Sequence, residues 1–285
     1  MEYSVKIYSR IGELMQGFLP DASTFLVSGL PSRIFFSEAV LDPRGVPNVV
    51  PKGKTCQGAL PPKARKALAL FLQEFAPVIT PGLSIRLTSN IPAGKGLSSS
   101  SADILSVLHV VNDYLQTHAR PEDMYRIAAA IEPTDPCLSE DIVLFRQRLG
   151  VVDRYLSLPP MSVLYFDTDP SREIETMYVR RQFSNGVGTF FGWLLKRFLG
   201  ATEAGDYVRL FDCVSYSAEY NQREIAIPRF GEWLGLAKET ESGLMVAHSG
   251  TIAGLLTRPE RAADLRSRLE AAVETPVYFE EYRHS

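Results

Sequence analysis

The sequence predicts an α+β fold built from two units. Strand-like alternation and β-branched residues dominate the first ~40 residues, whereas amphipathic helical patterns prevail between 61 and 131 and again after 187. Strand-rich and helix-rich blocks in mixed order favour a pair of α+β domains. At roughly 150 residues per domain, a chain of 285 residues is expected to hold about two folding units. We place them at 1–150 and 151–285, with the boundary between 145 and 185.

The individual elements are assigned from periodicity and turn residues. Strands are predicted at 3–9, 24–30 and 33–41, and 10–21 is predicted as a turn because it holds Gly12, Gly17 and Pro20. The proline- and glycine-rich segment 42–60 is predicted as a loop, either a lid or a disordered segment. Helices are predicted at 61–75, 99–116, 121–131, 187–199, 204–219 and 229–239, with an amphipathic segment at 259–273. Further strands are predicted at 84–89, 142–178, 243–247 and 276–282, and a helix is predicted to start at 249–251.

Composition and charge exclude several classes of protein. With 45% hydrophobic and 22% charged residues the chain is globular rather than disordered, and its net charge of −3 does not favour binding to duplex nucleic acid. Cys56, Cys137 and Cys213 form no CxxC pair, so neither a disulfide framework nor a thiolate zinc site is expected. The chain shows no signal-peptide pattern and no apolar run of the ~18 residues that a membrane span needs. A cytoplasmic location is therefore expected.

The most informative segment is a glycine- and serine-rich loop between a predicted strand and a strongly periodic helix. It reads IPAGKGLSSSSAD over 91–103. Glycines let a backbone approach a ligand closely, and the start of a helix offers unpaired N–H groups with a partial positive charge. Together these features favour phosphate binding, with Lys95 as a mobile cation and the serine hydroxyls as further donors or Mg²⁺ ligands.

A structural interpretation of this segment competes with phosphate binding. Lys95 is followed by Gly96 rather than by serine or threonine, so the P-loop pattern fails, and Ser99 stands where GxGxxG needs its third glycine. The alternative is a plain strand–helix turn, in which Ser99 or Ser100 is the N-cap and Asp103 completes a capping box. The residues alone leave both interpretations open.

Four segments, in order, resemble the GHMP small-molecule kinases, which include galactokinase, homoserine kinase and mevalonate kinase. The loop PAGKGLSSS at 92–100 is similar to the second motif of that superfamily, with Ser98 where its members usually have glycine. GELMQG at 12–17 resembles the first motif, IEPTD at 131–135 a loop after the second helix, and VAHSGTIAGLL at 246–256 the third motif. The fuller string GKGLSSSSAD resembles the L-threonine kinases of cobalamin side-chain assembly.

The resemblance implies a two-lobed GHMP kinase fold, with an N-terminal lobe like ribosomal S5 domain 2 and an α/β C-terminal lobe. It also implies transfer of a phosphoryl group from ATP to a small alcohol with the help of Mg²⁺, and specifically the phosphorylation of L-threonine to O-phospho-L-threonine. Nucleotide binding is then expected at Pro92, Ala93, Gly94, Lys95, Gly96, Leu97, Ser98, Ser99, Ser100 and Ser101.

The remaining site residues follow from their positions in the similar motifs. Ser100 and Glu132 are the candidate Mg²⁺ ligands, and Asp135 is the candidate catalytic carboxylate, which would accept the proton of the acceptor hydroxyl or orient that hydroxyl. The candidate substrate contacts are Glu13, Gln16, Asn221, Ser249 and Gly250. Each of these assignments has a structural alternative, such as a solvated helix end, a surface turn or a helix cap.

Other charged and aromatic groups are assigned structural roles. Lys63, Arg65 and Lys66 fall on one helix opposite an apolar face, which predicts a solvated surface. His248 has no second histidine at metal-ligand spacing and is interpreted as a structural residue. The aromatic cluster at 190–198 is predicted to pack in the core.

Alternative functions stay open at this stage. Departures from the family at Ser98 and Ser101 leave room for another hydroxy amino acid or small alcohol as acceptor. A nucleotide or metabolite sensor without turnover is one alternative, although retention of the candidate metal ligands and base argues against it. An ATP-dependent decarboxylase is another, and would need basic residues near the catalytic acid, for which Arg126, Arg146 and Arg148 are candidates. The expected partners are ATP and a small-molecule substrate, with a homodimer as an option, and neither nucleic acid nor a membrane.

Overall fold

The structure is a computed structural model that describes residues 2–45, 60–77, 82–174 and 182–283. Most of the loop predicted at 42–60 lies outside the described residues, and so does the end of the strand-rich stretch predicted at 142–178.

Antiparallel pairing joins nine strands of the described residues into one sheet. The strands are β1 (Tyr3–Phe18), β2 (Thr24–Leu41), β3 (Ile85–Ser89), β4 (Ile142–Arg146), β5 (Val151–Leu156), β6 (Met161–Asp167), β7 (Gly243–Val246), β8 (Ile252–Thr257) and β9 (Tyr278–Tyr282). Their order across the sheet is β5-β4-β2-β1-β7-β8-β6-β9, and β3 pairs with β2. A single residue pair, Glu13 opposite Val246, joins β1 to β7 and so connects the two halves of the sheet.

Helices cover this sheet and supply most of the remaining core. They are α1 (Pro62–Phe75), α2 (Ser99–Leu115), α3 (Pro121–Ile131), α4 (Asn185–Ala204), α5 (Tyr207–Asn221), α6 (Phe230–Glu239) and α7 (Ala262–Ala272). Each buries an apolar stripe, as α2 does with Ile104, Leu105 and Leu108. None of the described helices is both long and apolar enough to cross a bilayer. The mixture of helices and a large antiparallel sheet confirms the predicted α+β class.

The strand β1 continues through a stretch that the sequence predicts as a turn. The prediction for 10–21 is wrong up to Phe18, because the glycine at position 12 marks an irregularity within a strand rather than a reversal of the chain. The pairing of β1 with β2 shifts register between Tyr8 and Arg10 and again between Glu13 and Met15, and Gly12 lies between these shifts with φ of +54°.

The third motif forms a β-hairpin instead of the predicted strand and helix. Ile252–Thr257 is the strand β8, which pairs with β7, and the amide of Ala247 donates to the carbonyl of Ile252 at 2.8 Å to close the turn. All six residues of β8 are buried, and a fully apolar run of this length does not distinguish a buried strand from a buried helix.

The main hydrophobic core contains residues from both halves of the chain, from Ile7 to Tyr282. It also contains Phe191 and Phe198, as the sequence predicts, whereas Trp193 of the same aromatic cluster is 51% exposed, so the core prediction is wrong for that residue. The division into 1–150 and 151–285 stays a prediction. β5, which begins at Val151, pairs with β4 and so belongs to the sheet of the first part.

Candidate active site

A cavity of about 370 Å³ opens where the starts of two helices meet the end of a third. The start of α1 contributes Pro62, Lys63 and Ala64, and the chain just beyond α3 contributes Glu132, Pro133 and Asp135. Residues of the glycine–serine segment form another wall: Ala93, Gly94, Gly96, Ser98, Ser99, Ser100 and Ser101. The second motif and the IEPTD segment therefore meet Glu13 of the first motif and Ser249 of the third around one space. We call it the loop cavity.

The helix α2 begins at the loop cavity without a side-chain cap. Its N-cap is Ser98, whose side chain makes no capping hydrogen bond. Asp103 accepts a hydrogen bond from Ser37 Oγ at 2.7 Å, so the capping-box interpretation of the sequence is wrong. Amides in the first turn of a helix have no partner within the helix and carry partial positive charge. The loop thus presents anion-binding groups to the cavity.

Two glycines let the third motif press directly on this loop. Gly96 has φ of +83°, and a Cβ placed there would lie 2.2 Å from Ala247 Cβ. A Cβ on Gly250 would lie 2.1 Å from the carbonyl oxygen of Lys95. That oxygen accepts hydrogen bonds from the amides of Thr251 and Ile252 at 3.1 and 3.2 Å. Gly250 therefore acts on the shape of the loop and is not among the residues that line the cavity.

Lys95 points away from the loop cavity, which corrects the expectation of a mobile cation. Its ammonium lies 2.9 Å from Asp167 Oδ2 and donates to the carbonyl oxygens of Asp169, Pro170 and Arg172 at 2.9, 3.0 and 2.7 Å. Only 8% of the residue is exposed. The side chain fastens 167–172 to the loop, and the amide of Ile174 adds a bond to the carbonyl of Gly94 at 2.9 Å.

Ser100 and Glu132, the candidate metal ligands, are in direct contact. Ser100 Oγ donates to Glu132 Oε1, and Lys63 Nζ lies 2.5 Å from Glu132 Oε2. Glu132 ends α3 in an extended conformation, as expected for a residue that precedes proline. Mg²⁺ takes few protein oxygens and keeps several waters, so one hydroxyl and one carboxylate at the cavity wall fit that ion. Lys63 lines the cavity, and its assignment to a solvated helix face is wrong.

Asp135 lies at the cavity wall with its backbone fixed by the second motif. Its amide donates to Ser101 Oγ at 3.0 Å, and Thr134 Oγ1 donates to the same oxygen at 3.2 Å. Burial raises the pKa of Asp135 to about 7, and the negative charges of Glu13 and Glu132 act in the same direction. The Ser98 side chain and the charge of Arg10 oppose this rise in pKa. A carboxylate with a raised pKa is suited to accepting a proton near neutral pH.

Arg10 supports the loop that carries Asp135, and sequence reasoning missed it. Its guanidinium is buried in the fold, where it donates to the carbonyl oxygens of Gly29 at 3.2 Å, Pro136 at 3.1 Å and Ser139. Burial lowers the pKa of Arg10, while the nearby charge of Asp135 opposes that effect. An arginine at a buried position of a strand would have been the signal, but the sequence analysis places position 10 in a turn.

A second cavity, of about 460 Å³, adjoins the first. It shares Pro133, Gln147 and Ser249 with the loop cavity, so the two meet at these residues. Gln16 and His248 line it, as do two arginines of the β4–β5 hairpin, Arg146 and Arg148; the other lining residues are Phe18, Ala22, Ser23, Thr24 and Leu149. We call it the arginine cavity.

Glu13 and His248 connect the first and third motifs beneath the two cavities. Glu13 Oε2 accepts a hydrogen bond from the amide of His248 at 2.8 Å and lies 3.3 Å from His248 Nδ1. His248 Nε2 lies 3.0 Å from Ser217 Oγ, which accepts from the amide of Gln16 at 3.2 Å. Glu13 thus faces the loop cavity while Gln16 faces the arginine cavity, and the surface-turn alternative for both residues is wrong.

Besides Lys95 and Gly250, three more of the predicted site residues line neither cavity. Leu97 is buried in the main core, and Pro92 flanks the loop without lining it. Asn221 is buried at the end of α5, and its carbonyl accepts hydrogen bonds from the amides of Glu224 and Ile225. The proposed contact of Asn221 with substrate therefore finds no support in the lining of either cavity.

Comparison with known proteins finds similarity in the part of the chain that supplies most of the loop cavity's wall. The family model for the GHMP kinases N-terminal domain matches residues 63–139. The L-threonine kinase of Citrobacter freundii is 25% identical over 201 residues, which cover 68% of this chain and 70% of that protein.

Solved structures extend the similarity to nearly the whole chain. The homoserine kinase of Cytophaga hutchinsonii superposes with a TM-score of 0.65 at 17% identity, covering 98% of this chain and 94% of that one. The phosphomevalonate kinase of Streptococcus pneumoniae superposes with a TM-score of 0.73 at 12% identity, covering 99% and 100%. Residues 63–139 thus match the GHMP kinases N-terminal domain, and the chain as a whole has the fold of these solved kinases.

Proposed function

We propose that this protein is a GHMP kinase that phosphorylates the side-chain hydroxyl of a small hydroxy amino acid, L-threonine, according to ATP + L-threonine → ADP + O-phospho-L-threonine. The observation that carries the proposal is that Asp135, with its raised pKa, and the glycine–serine loop line the same cavity. The similarity to an L-threonine kinase supports the choice of acceptor, and a role in cobalamin side-chain assembly is part of the same proposal.

Nucleotide binding is assigned to the loop, where glycine φ values and uncapped amides favour an oxyanion ligand. Gly94, Gly96, Ser98, Ser99 and Ser101 line the cavity and would contact the phosphates. Lys95 instead holds the loop in shape through Asp167 and the carbonyl groups beyond it.

Magnesium is assigned to the oxygens of Ser100 and Glu132. The loop cavity has five carboxylates in its wall, from Glu13, Asp103, Glu132, Asp135 and Glu173, against one lysine. A polyphosphate is itself an anion, so a cation is needed for it to bind beside these carboxylates. When bound, Mg²⁺ would neutralise phosphate charge during the transfer.

Asp135 is assigned the role of base. Its ionised carboxylate takes the proton of the acceptor hydroxyl, the hydroxyl oxygen bonds to the γ-phosphorus of ATP, and the bond from that phosphorus to the β–γ bridging oxygen breaks to release ADP. The serine hydroxyl at position 101 holds the backbone of Asp135 relative to the loop that would carry the phosphates.

One experiment separates this function from the alternatives. ADP release would be measured with L-threonine, L-serine, L-homoserine and simple amino alcohols, each with Mg²⁺ and ATP. We expect the highest kcat/KM with L-threonine. ADP release with none of the acceptors, while ATP still binds, would overturn the proposal in favour of a nucleotide sensor.

The decarboxylase alternative receives support from one observation, because Arg146 and Arg148 do line a cavity next to Asp135. Arg126 does not join them: it pairs with Glu74 at 2.5 Å on the surface. Release of CO₂ together with ADP and inorganic phosphate from a phosphorylated hydroxy acid would identify that activity.

A further inference from the structure

We propose that the arginine cavity binds the carboxylate group of the acceptor, with Arg148 as its counter-ion. The inference rests on the proposed function, since it names the part of the acceptor that this cavity recognises. It makes Arg148 the residue that distinguishes a hydroxy acid from a plain alcohol.

The charge of the cavity wall is the first argument. Among the residues that the structure describes, the wall holds the guanidinium groups of Arg146 and Arg148 and no aspartate or glutamate. The loop cavity beside it holds five carboxylates and one lysine. A ligand that spans both spaces would place its anionic group near Arg148, since the carboxylates of the loop cavity repel an anion and Arg146 is already paired with Asp153.

The two arginines differ in the number of contacts that their guanidinium groups make with other residues of the protein. Arg146 contacts Asp153 through Nε and Ser23 Oγ through Nη1 at 2.6 Å, so its guanidinium is held by the protein itself. Arg148 makes no hydrogen bond or ion pair with any residue in the described ranges, and it is exposed at the cavity rim. Its planar fork of donors is therefore available to a carboxylate, which it can bind with two parallel hydrogen bonds.

The backbone that carries Arg148 is fixed. The amides of Leu149 and Gly150 both donate to the carbonyl of Arg146 at 2.9 Å, which closes the turn between β4 and β5. Gly150 has φ of +70°, and a Cβ there would lie 2.4 Å from the backbone of Tyr125. The turn is thus pressed against α3, and Arg148 projects from a rigid support.

The same turn reaches the reacting groups. The amide of Thr134 donates to the carbonyl of Gln147 at 3.0 Å, so the residue before Arg148 is bonded to the residue before Asp135. Pro133, Gln147 and Ser249 line both cavities. An acceptor with its carboxylate at Arg148 therefore directs its other end towards Asp135.

Size alone does not select the acceptor. A cavity of about 460 Å³ is in the range that holds drug-sized ligands, well above what a small amino acid needs. Selection must then come from polar groups in the wall. A single free guanidinium matches one carboxylate, whereas a diphosphate would call for more cations than the wall offers.

The test compares acceptors with and without the carboxylate in variants of the full chain. Arg148→Ala and Arg148→Lys are assayed with L-threonine and with 1-aminopropan-2-ol, which has the same amine and hydroxyl but no carboxylate. Loss of a charged hydrogen-bonded pair is expected to lower kcat/KM for L-threonine roughly 10- to 100-fold, mainly through KM, and to leave the amino alcohol within about twofold. Lysine at 148 should recover part of the loss.

Arg154→Ala is the matched control. Arg154 is an exposed arginine on β5 that pairs with Glu203 at 2.9 Å and lines neither cavity. Its substitution should therefore leave kcat/KM unchanged for both acceptors. Equal losses for both acceptors in Arg148→Ala would overturn the inference. The inference would also be overturned if an alcohol with a phosphate in place of the carboxylate had a higher kcat/KM than L-threonine, and had it only when Arg148 is present.

Failure of the proposed function is seen separately. If the parent protein phosphorylates no acceptor, the function fails, while calorimetric binding still tests Arg148. L-Threonine should then bind the parent more tightly than L-threoninamide does, and Arg148→Ala should abolish that difference. Equal binding of the two ligands by the parent would reject the carboxylate site.

Discussion

The loop cavity and the arginine cavity share three wall residues, yet the charge of their walls is opposite. Within the described part of the chain, five carboxylates and one lysine line the first cavity, and two arginines but no carboxylate line the second. The loop cavity can hold an anion through backbone amides, helix starts and the divalent cation that the proposal assigns to it. The arginine cavity can hold an anion through the guanidinium groups of its arginines. Two anions can therefore occupy neighbouring spaces because each is recognised by different chemistry.

The largest expected effect concerns Asp135, the candidate base in the wall of the loop cavity. Asp135→Asn removes the base, and we expect kcat to fall about 10²- to 10⁴-fold while a fluorescent ATP analogue still binds. Asp103→Asn is the matched control, because Asp103 lines the same cavity but accepts its hydrogen bond from Ser37. Equal losses in both variants would show that the number of charges in the wall matters, and not the identity of the base.

Loss of Lys95 should damage the loop cavity and spare the arginine cavity. Lys95→Met leaves Asp167 and three carbonyl groups without their cation, and we expect the free energy of unfolding to fall by about 3 kcal/mol. The KM for ATP should rise, whereas acceptor binding measured by calorimetry should hardly change. Urea denaturation gives the stability, with Lys66→Met, an exposed lysine of α1, as the control. An unchanged free energy of unfolding together with an unchanged KM for ATP would show that Lys95 does not hold 167–172 against the glycine–serine loop.

The metal assignment predicts a dependence on Mg²⁺ that only the loop cavity shows. Ser100→Ala removes one candidate ligand, and the Mg²⁺ concentration needed for half-maximal ATP binding should rise roughly tenfold. Ser106→Ala, in the same helix but away from the cavity wall, is the comparison. Identical Mg²⁺ titrations in the parent and in Ser100→Ala would remove this residue from the metal site.

The pH profile should report the loop cavity, since arginine keeps its charge throughout. With the pKa of Asp135 raised to about 7, kcat/KM is expected to rise roughly tenfold between pH 6 and 8 and then level off. Stability should change in the opposite sense. A carboxyl whose folded pKa is raised stabilises the fold fully below its unfolded pKa and loses that contribution as pH rises through the folded value. Asp135→Asn should therefore raise Tm at pH 8 and not at pH 3. A flat profile would show that this carboxylate is ionised throughout.

The smallest expected effect is at Ser98, one of the two loop positions that depart from the family pattern. Ser98 has φ of +58°, a left-handed conformation that favours glycine, so Ser98→Gly should raise the free energy of unfolding by up to ~1 kcal/mol. It also removes a side-chain hydrogen bond to Asp135, which should move the pH profile upward. Urea midpoints and the profile check these outcomes. A loss of stability would show that the hydroxyl outweighs the strain.

Local patterns predicted the helices and most of the strands, because apolar periodicity records which face of an element is buried. The helix after the glycine–serine loop begins at Ser99, where the sequence places it. Glycines were the main source of error, since one residue type serves turns, strand irregularities and close approaches between segments alike. Gly12 lies in a continuous strand, and Gly250 makes room for the carbonyl of Lys95.

Residues whose partners are distant in sequence could not be assigned from local patterns. The ammonium of Lys95 contacts Asp167 and the carbonyls that follow it, 72 to 77 positions away, and Arg10 bonds to carbonyls at 136 and 139. The motifs indicated which residues are close to the ligand, whereas only the fold shows the direction in which each side chain points.

The hairpin turn between β4 and β5 has a consequence for how the proposed acceptor specificity could be changed. Main-chain bonds and Gly150 hold it in place, while the side chains of Arg148 and Leu149 face outward. Substituting these two side chains should change the groups that contact an acceptor and leave the backbone of the turn unchanged. If this protein has the proposed function, substitutions at these two positions should change which acceptor it prefers and leave the glycine–serine loop unaltered.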